Sequence, residues 1–359
     1  ERSCARRHPH WRQHRSAANL DALSQMSGAV GIVAIGRNEG ERFRACLASM
    51  PAGLPTVYVD SGSTDGSVDT ARDHGAMVVD LPAVPGFTAA RARNAGWRRL
   101  IQACPGLDYV QFIDGDCALD SGWIAGARAA MDADAGLAVV FGRRRERFPE
   151  ASLYNAQCDR EWDVPIGEVR ACGGDALMRV AALAAVGGYC DDMIAGEEPD
   201  LCLRLRQCGW RIQRIDREMT LHDANILHFS SWWKRARRAG HAYAEHVWRH
   251  RGDADPDWTR QMRSMILWAI ALPLVLIAGL VTAVAGQRLG LLLGFGVVAL
   301  YAAQYARMVR RGIKSGASGA YAMGDAALML AAKFAHLGGT WTFLVNLLRG
   351  RRSRIIEYK

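Results

Sequence analysis

The sequence predicts an α/β protein: a mostly parallel, Rossmann-like sheet with helices on both faces, followed by C-terminal transmembrane or interfacial helices. Three observations carry this. Short apolar runs alternate with helical periodicity between residues 30 and 141; acidic or amide residues recur where those runs end; and two long stretches near the C-terminus carry no charge. The 359-residue length suits one large or two medium domains. The composition, 50% hydrophobic and 23% charged, excludes collagen, low-complexity disorder and a disulfide scaffold.

Residues 1–25 are polar and basic, with no apolar core of signal-peptide length. Met26 is the first methionine and is taken as the native start, so residues 1–27 are set aside as a disordered or non-native extension. The run Val30 to Ile35 reads as a buried strand, broken by Gly36-Arg37-Asn38-Glu39-Gly40 and followed by a helix over Glu41 to Ser49. Val57 to Val59 is a second strand, leading into the turn-rich Asp60-Ser61-Gly62-Ser63-Thr64-Asp65-Gly66-Ser67 and a helix to about His74. Met77 to Val79 is a third strand, Thr88 to Ile101 a helix, Tyr109 to Ile113 a fourth strand and Leu137 to Phe141 a fifth. In such sheets ligands sit beyond the carboxyl ends of the strands. Asn38, Asp60 and Asp114 all fall there.

Asp114-Gly115-Asp116 leaves the fourth strand. Two carboxylates flanking a glycine can turn towards one hard cation, Mg²⁺ or Mn²⁺, which takes oxygen ligands and bridges phosphates; the triplet is also an ordinary turn. Gly196-Glu197-Glu198-Pro199-Asp200 opens a helix. Helix-start chemistry accounts for Pro199 and Asp200, and Asp200 with Arg204 forms an i,i+4 pair. It does not require two glutamates after Gly196, and one could be a general base. His222 is either a packed histidine or a third metal ligand. The nine cysteines show no C-x-x-C pair and no zinc spacing, and read as reduced packing residues of a cytosolic domain.

Over about residues 29 to 248 these pieces together resemble a family 2 glycosyltransferase with the GT-A fold. The matching segments are Asn38-Glu39, the Asp60 to Gly66 run, Ala92-Arg93-Asn94-Ala95-Gly96, Asp114-Gly115-Asp116, Val186-Gly187-Gly188-Tyr189, and Gly196 to Asp200 with Arg204 and Gly209-Trp210 behind. The resemblance implies an inverting transferase using a nucleotide-diphosphate sugar and Mg²⁺ or Mn²⁺. It places Asn38, Glu39, Asp60 and Ser61, with Asp65 of the same run, at the nucleotide, and Arg93 near the nucleotide or its phosphates. Asp114 and Asp116 would hold ribose, metal and diphosphate, His222 would complete the metal shell, and Glu198 would be the base. The family's base is usually aspartate, so Glu197 becomes a rival. Gly36-Arg37 stands where a proline and an aromatic are common. Ser231-Trp232-Trp233-Lys234-Arg235 replaces the Gln-x-x-Arg-Trp of processive synthases, which argues for single sugar addition.

The GT-A catalytic domain is expected over residues 28–250, with an interfacial helix at 229–248 that carries tryptophans and Lys/Arg. A membrane region follows over 264–348, with helices at about 265–285, 289–306 and 320–348, and a basic tail at 349–359. No residue from 264 to 287 is charged, and Pro273 is tolerable in such a span. In the third segment Asp325, Lys333 and His336 fall within about 80° of one another. This favours an interfacial or re-entrant helix over a third span whose polar stripe turns to the protein. From Arg307 to Lys359 ten Lys/Arg face two Asp/Glu, against a net charge of +9 for the whole chain. Basic charge beside apolar runs points to a membrane surface and not to nucleic acid. The positive-inside rule places the catalytic domain in the cytoplasm at the inner membrane. A lipid-linked acceptor in envelope or exopolysaccharide assembly fits that placement. Two other readings compete: a nucleotidyltransferase, for which Gly36 to Gly40 makes a poor triphosphate loop, and an inactive membrane-anchored nucleotide-sugar-binding protein, which would be expected to have lost a site acid.

Overall fold

The computed structural model of the chain describes residues 29–351. The expected extension over 1–27 with its start at Met26, Cys4, and residues 352–359 of the basic tail lie outside the described residues. The described chain forms two compact units, one running to Phe148 and resuming over Cys158–Ala224, the other comprising Pro149–Gln157 and the chain from Asn225.

In the first unit the elements are β1 (Val30–Gly36), α1 (Glu41–Ala48), β2 (Thr56–Asp60), α2 (Ser67–Asp73), β3 (Met77–Asp80), α3 (Ala89–Ala103), β4 (Tyr109–Asp114), β5 (Cys117–Leu119), α4 (Trp123–Ala133), β6 (Leu137–Glu146), α5 (Leu153–Glu161, begun in the other unit), β7 (Gly167–Val169), β8 (Ala176–Arg179), α6 (Val180–Val186), α7 (Glu197–Gln207) and β9 (Arg211–His222). The sheet order is β3-β2-β1-β4-β8-β6-β9-β5, with β7 also on β9. Strands β3, β2, β1 and β4 are parallel. Their sequences read as unbroken apolar runs because central parallel strands are covered on both faces; in β1, Val30 to Ile35 are all buried.

Beyond β4 the sheet is mixed. β8 lies antiparallel between β4 and β6, while β6 and β9 run parallel. The register aligns the ligand edge: Gly36 pairs with Asp60 and Ile35 with Asp114, so the first, second and fourth strands end side by side.

The second unit holds α8 (Phe229–Arg249), α9 (Pro256–Ile266), a π-helical turn over Leu267–Ala271, α10 (Leu272–Val284), α11 (Arg288–Lys314) and α12 (Gly319–Leu348). Helix α8, which the sequence reading put in the catalytic domain, packs with α12. The contact is made by small residues: a Cβ on Gly240 would run into the His336 backbone, one on Gly339 into the Arg237 carbonyl, and the Thr340 hydroxyl donates to the Gly240 carbonyl at 3.1 Å. Trp232 is buried within this unit, its indole N–H donating to Gln157 Oε1 at 2.7 Å.

Among the described residues three helices are long and apolar enough to cross a membrane: Pro256–Val284, Arg288–Lys314 and Gly319–Leu348. The first begins about nine residues before its predicted start, because Asp255 caps the helix by accepting from the Asp257 amide and Pro256 occupies the first turn. Pro273 has no N–H to give to the preceding turn, the helix widens to π geometry there, and the Tyr301 hydroxyl donates to the Trp268 carbonyl.

Helix α12 is unbroken over Gly319–Leu348, and its polar stripe turns towards the protein. Asp325, Lys333 and His336 are buried. Asp325 accepts from Gln157 Nε2 at 3.1 Å, Lys333 donates to Gln261 Oε1 at 3.0 Å, and the His336 ring meets Tyr243 edge-on. A buried polar side chain needs such partners, and residues of the same unit supply them.

Candidate active site

The residues predicted at the nucleotide come together in two loops beyond β1 and β2. The Asn38 amide donates to Ser63 Oγ at 2.9 Å, and Asn38 Oδ1 accepts from the Thr64 amide at 2.7 Å. Asp65 Oδ2 accepts from the Gly40 amide at 2.8 Å, and the Ser61 amide donates to the Gly36 carbonyl at 3.1 Å. Asp60 is buried; its Oδ2 accepts from the Gly62 and Ser63 amides and its Oδ1 from the Tyr58 hydroxyl. Asn38 and Asp65 thus stitch the two loops with their side-chain oxygens, while Asp60 folds the second loop onto its own strand. Glu39 pairs with Arg42 and lies beside Gly115.

At the end of β4 the two aspartates separate. The Gly115 amide bonds back to the Ile35 carbonyl at 2.8 Å. Asp114 Oδ1 accepts from Arg93 Nη2 at 2.8 Å, and its Oδ2 lies 3.5 Å from Arg144 Nη2. Asp116 instead faces His222, with Nε2 to Oδ2 at 3.3 Å. Strand register explains the encounter: Cys117 of β5 pairs with His222 of β9, and Glu146 of β6 pairs with His222 from the other side. Glu146 Oε2 lies 3.4 Å from His222 Nδ1 and accepts from the Ala224 amide at 3.0 Å.

Burial, with the Arg144 charge adding, lowers the His222 pKa and keeps the ring neutral. A neutral ring has one N–H. If Nδ1 gives it to Glu146, the Nε2 lone pair faces the Asp116 carboxylate, an opposition that a cation between them resolves. Ligand atoms of Asp116, Cys117 and His222 lie within 4.8 Å of one another, as do those of Asp114, Cys117 and Asp175. Burial pushes the Cys117 thiol up, so it is a neutral neighbour and a poor partner for a hard cation. The pair whose donors fit Mg²⁺ or Mn²⁺ is therefore Asp116 and His222, while Asp114 groups with Asp175.

Helix α7 brings the two glutamates. Arg93 Nη1 donates to Glu198 Oε1 at 2.9 Å and to Glu197 Oε1 at 3.0 Å. The Glu198 side chain is 15% exposed and that of Glu197 5%, which favours Glu198 as the one an acceptor can reach. Burial pushes the Glu198 carboxyl up to about 7; the Glu197 charge adds to the rise and Arg93 opposes it. Asp200 pairs with Arg204, which also donates to the Val186 carbonyl and so ties α7 to the Gly187-Gly188 turn.

Four residues here were not singled out from the sequence. Asp175 is buried and accepts from the Asp114 amide and the Thr220 hydroxyl. Arg144 lies between Asp114 and Asp175, over the Trp162 ring, whose edge meets His222. Glu146 completes the set. A glycine pair followed by an acid, Gly173-Gly174-Asp175, and a charged run at a strand's end, Arg143 to Glu146, were the available signals.

A mostly parallel mixed sheet with helices on its faces is the architecture of the GT-A fold, and the comparisons with known proteins agree on that fold and on the family. The profile described as Glycosyl transferase family 2 matches residues 32–178. An uncharacterized glycosyltransferase of Mycobacterium tuberculosis is 34% identical over 197 residues, 52% of this chain and 84% of the relative. The chain belongs to glycosyltransferase family 2. The succinoglycan biosynthesis protein ExoA of Rhizobium meliloti is 24% identical over 217 residues, 55% of this chain and 63% of that protein. Among solved structures, a mannosyltransferase of Pyrobaculum calidifontis, in complex with GDP-Man and Mn²⁺, superposes with a TM-score of 0.55 at 16% identity, covering 88% of this chain and 87% of that one; it shares the fold.

Proposed function

We propose that the chain is a membrane-attached, inverting glycosyltransferase that moves one sugar from a nucleotide-diphosphate sugar to an acceptor hydroxyl. The observation that carries this is a partly exposed glutamate, Glu198, bonded to the same Arg93 that holds Asp114, two residues from the Asp116 that faces His222. Glu198 takes the proton from the acceptor hydroxyl while that oxygen attacks the anomeric carbon from the face opposite the diphosphate. The new C–O bond forms as the bond to the diphosphate oxygen breaks, and the configuration inverts. Base assistance of this kind is worth roughly 10²–10⁴-fold. Asp116 and His222 would hold the divalent cation, and that cation supplies positive charge against the leaving diphosphate.

Mn²⁺ in the mannosyltransferase of like fold supports a divalent metal here, and ExoA supports a role in envelope or exopolysaccharide assembly. The three apolar helices support membrane attachment. Arg307, Arg310, Arg311 and Lys314 at the end of α11 support a catalytic unit facing the cytoplasm at the inner membrane. That attachment supports a lipid-linked acceptor.

The test is a titration of the detergent-purified chain with UDP, GDP, CDP and dTDP sugars, with and without Mn²⁺, repeated for Asp116→Ala. Metal-dependent binding of one nucleotide class, lost in Asp116→Ala, is expected. No metal-dependent binding to any of the four would overturn the assignment.

A further inference from the structure

One guanidinium stands where the sequence offers two rival bases. Arg93 is 3% exposed. Its Nη1 gives both hydrogens to glutamates, one to Glu197 Oε1 and one to Glu198 Oε1, and its Nη2 reaches Asp114 Oδ1. We infer that Arg93 is a positioning residue: it fixes the side chain of Glu198 as the base and ties it to Asp114 of the donor site, instead of contacting the nucleotide phosphates. The inference rests on the reading of Glu198 as base.

The physical need comes from the side chain itself. Glutamate has one more rotatable bond than aspartate, so a glutamate base loses more rotamer freedom on being aimed. A charge-assisted bond from a buried arginine supplies that aim. It engages Oε1 and leaves Oε2 as the oxygen that receives the acceptor's proton. Glu197 is held by the same nitrogen but is more deeply buried, which withdraws it from that role.

The arginine is itself held from several sides. Its guanidinium lies 5.6 Å from the centre of the Tyr189 ring. The Tyr189 backbone is clamped by the next residue of α3: its amide donates to Asn94 Oδ1 at 3.0 Å, and Asn94 Nδ2 donates to its carbonyl at 2.8 Å. Over the guanidinium, Gly174 leaves no room for a side chain. A Cβ there would collide with Arg93 Nη2 and stand 2.9 Å from Asp114 Oδ2. Gly174 does not have a positive φ, so alanine fits its backbone and would act by displacing the Arg93 guanidinium and pressing on the Asp114 carboxylate it pairs with.

The experiment uses the full chain in detergent with Arg93→Gln, Arg93→Lys and Gly174→Ala. Mn²⁺-dependent binding of UDP, GDP, CDP and dTDP is measured by calorimetry. Turnover is followed as diphosphate release from the corresponding nucleotide sugars with membrane lipid extract as acceptor. Arg93→Gln is expected to bind the preferred diphosphate as wild type does, with unchanged donor KM and a kcat lower by about 10²-fold, the scale of a misplaced catalytic group. Arg93→Lys should recover part of the loss, and Gly174→Ala, with every charge retained, should fall roughly tenfold. If Arg93→Gln does not fold, Arg93→Lys and Gly174→Ala decide the matter together: a kcat lowered in both with nucleotide affinity kept is the expected result, and affinity lost in step with kcat in both overturns the inference. Loss of nucleotide affinity in step with kcat would make Arg93 a phosphate ligand and overturn the inference; so would an undiminished kcat in Gly174→Ala. A wild-type chain that releases no diphosphate from any of the four would instead overturn the transferase reading beneath it.

Discussion

His222 Nε2 lies 3.3 Å from Asp116 Oδ2, brought there by the three-residue pairing of β5 with β9. Glu146 holds the other ring nitrogen from the neighbouring strand. A carboxylate behind a histidine fixes which nitrogen carries the proton and raises the basicity of the other.

Glu146→Gln should therefore weaken Mn²⁺ affinity by about 10–100-fold while leaving the Asp116 and His222 side chains in place. Mn²⁺ titration followed by electron paramagnetic resonance, without substrate, reads this directly. An unchanged affinity would remove His222 from the cation site.

Turnover should depend on pH through Glu198. Its carboxyl, pushed up to about 7 first by burial and then by the Glu197 charge, is protonated below that pH and cannot accept a proton. The kcat is expected to rise about tenfold per pH unit on the acid side and to level off above about 7. A kcat profile flat from pH 5 to 9 would point away from this base.

Gln157 joins its own short segment to α8 and α12, donating to Asp325 and accepting from Trp232. Gln157→Ala removes the acceptor for a buried indole N–H, a change that costs about 1–3 kcal/mol. Thermal unfolding in detergent should show a lower midpoint than wild type. For the same reason a chain cut after Ala224 would keep Pro149–Gln157 but lose Trp232 and Asp325, and should be less stable than the full chain.

Tyr301→Phe tests the account of Pro273. Without the hydroxyl, the Trp268 carbonyl loses its donor. Hydrogen bonds between membrane helices are worth about 0.6 kcal/mol on average and up to about 1.7. A small loss of stability with unchanged donor binding is expected, measured by unfolding in detergent.

The parts legible in the sequence were those whose pattern is local. Strands β1, β2 and β4 announce themselves because both faces are covered, and their ends mark the ligand edge. Strands β8 and β9 did not: Ala176–Arg179 is too short, and Arg211–His222 alternates charges along a strand whose neighbours β5, β6 and β7 lie far away in sequence. Asp116 and His222 could be named from their residue types, but their meeting depends on register. Arg93 was visible as a motif residue, whereas its three carboxylate partners come from β4 and α7. In α12 the helical period showed that Asp325, Lys333 and His336 share a stripe. The direction of that stripe depends on Gln157, Gln261 and Tyr243, which periodicity does not reveal.

The most direct test of the central claim compares Glu198→Gln with Glu197→Gln in the full chain, measuring Mn²⁺-dependent binding of the donor and transfer of its sugar in the same preparation. Glu198→Gln keeps the shape and the Arg93 contact but cannot take a proton at neutral pH. The account predicts donor binding at the wild-type level with sugar transfer reduced by roughly 10²–10⁴-fold, and a smaller loss in Glu197→Gln. Transfer near the wild-type rate in Glu198→Gln would contradict it.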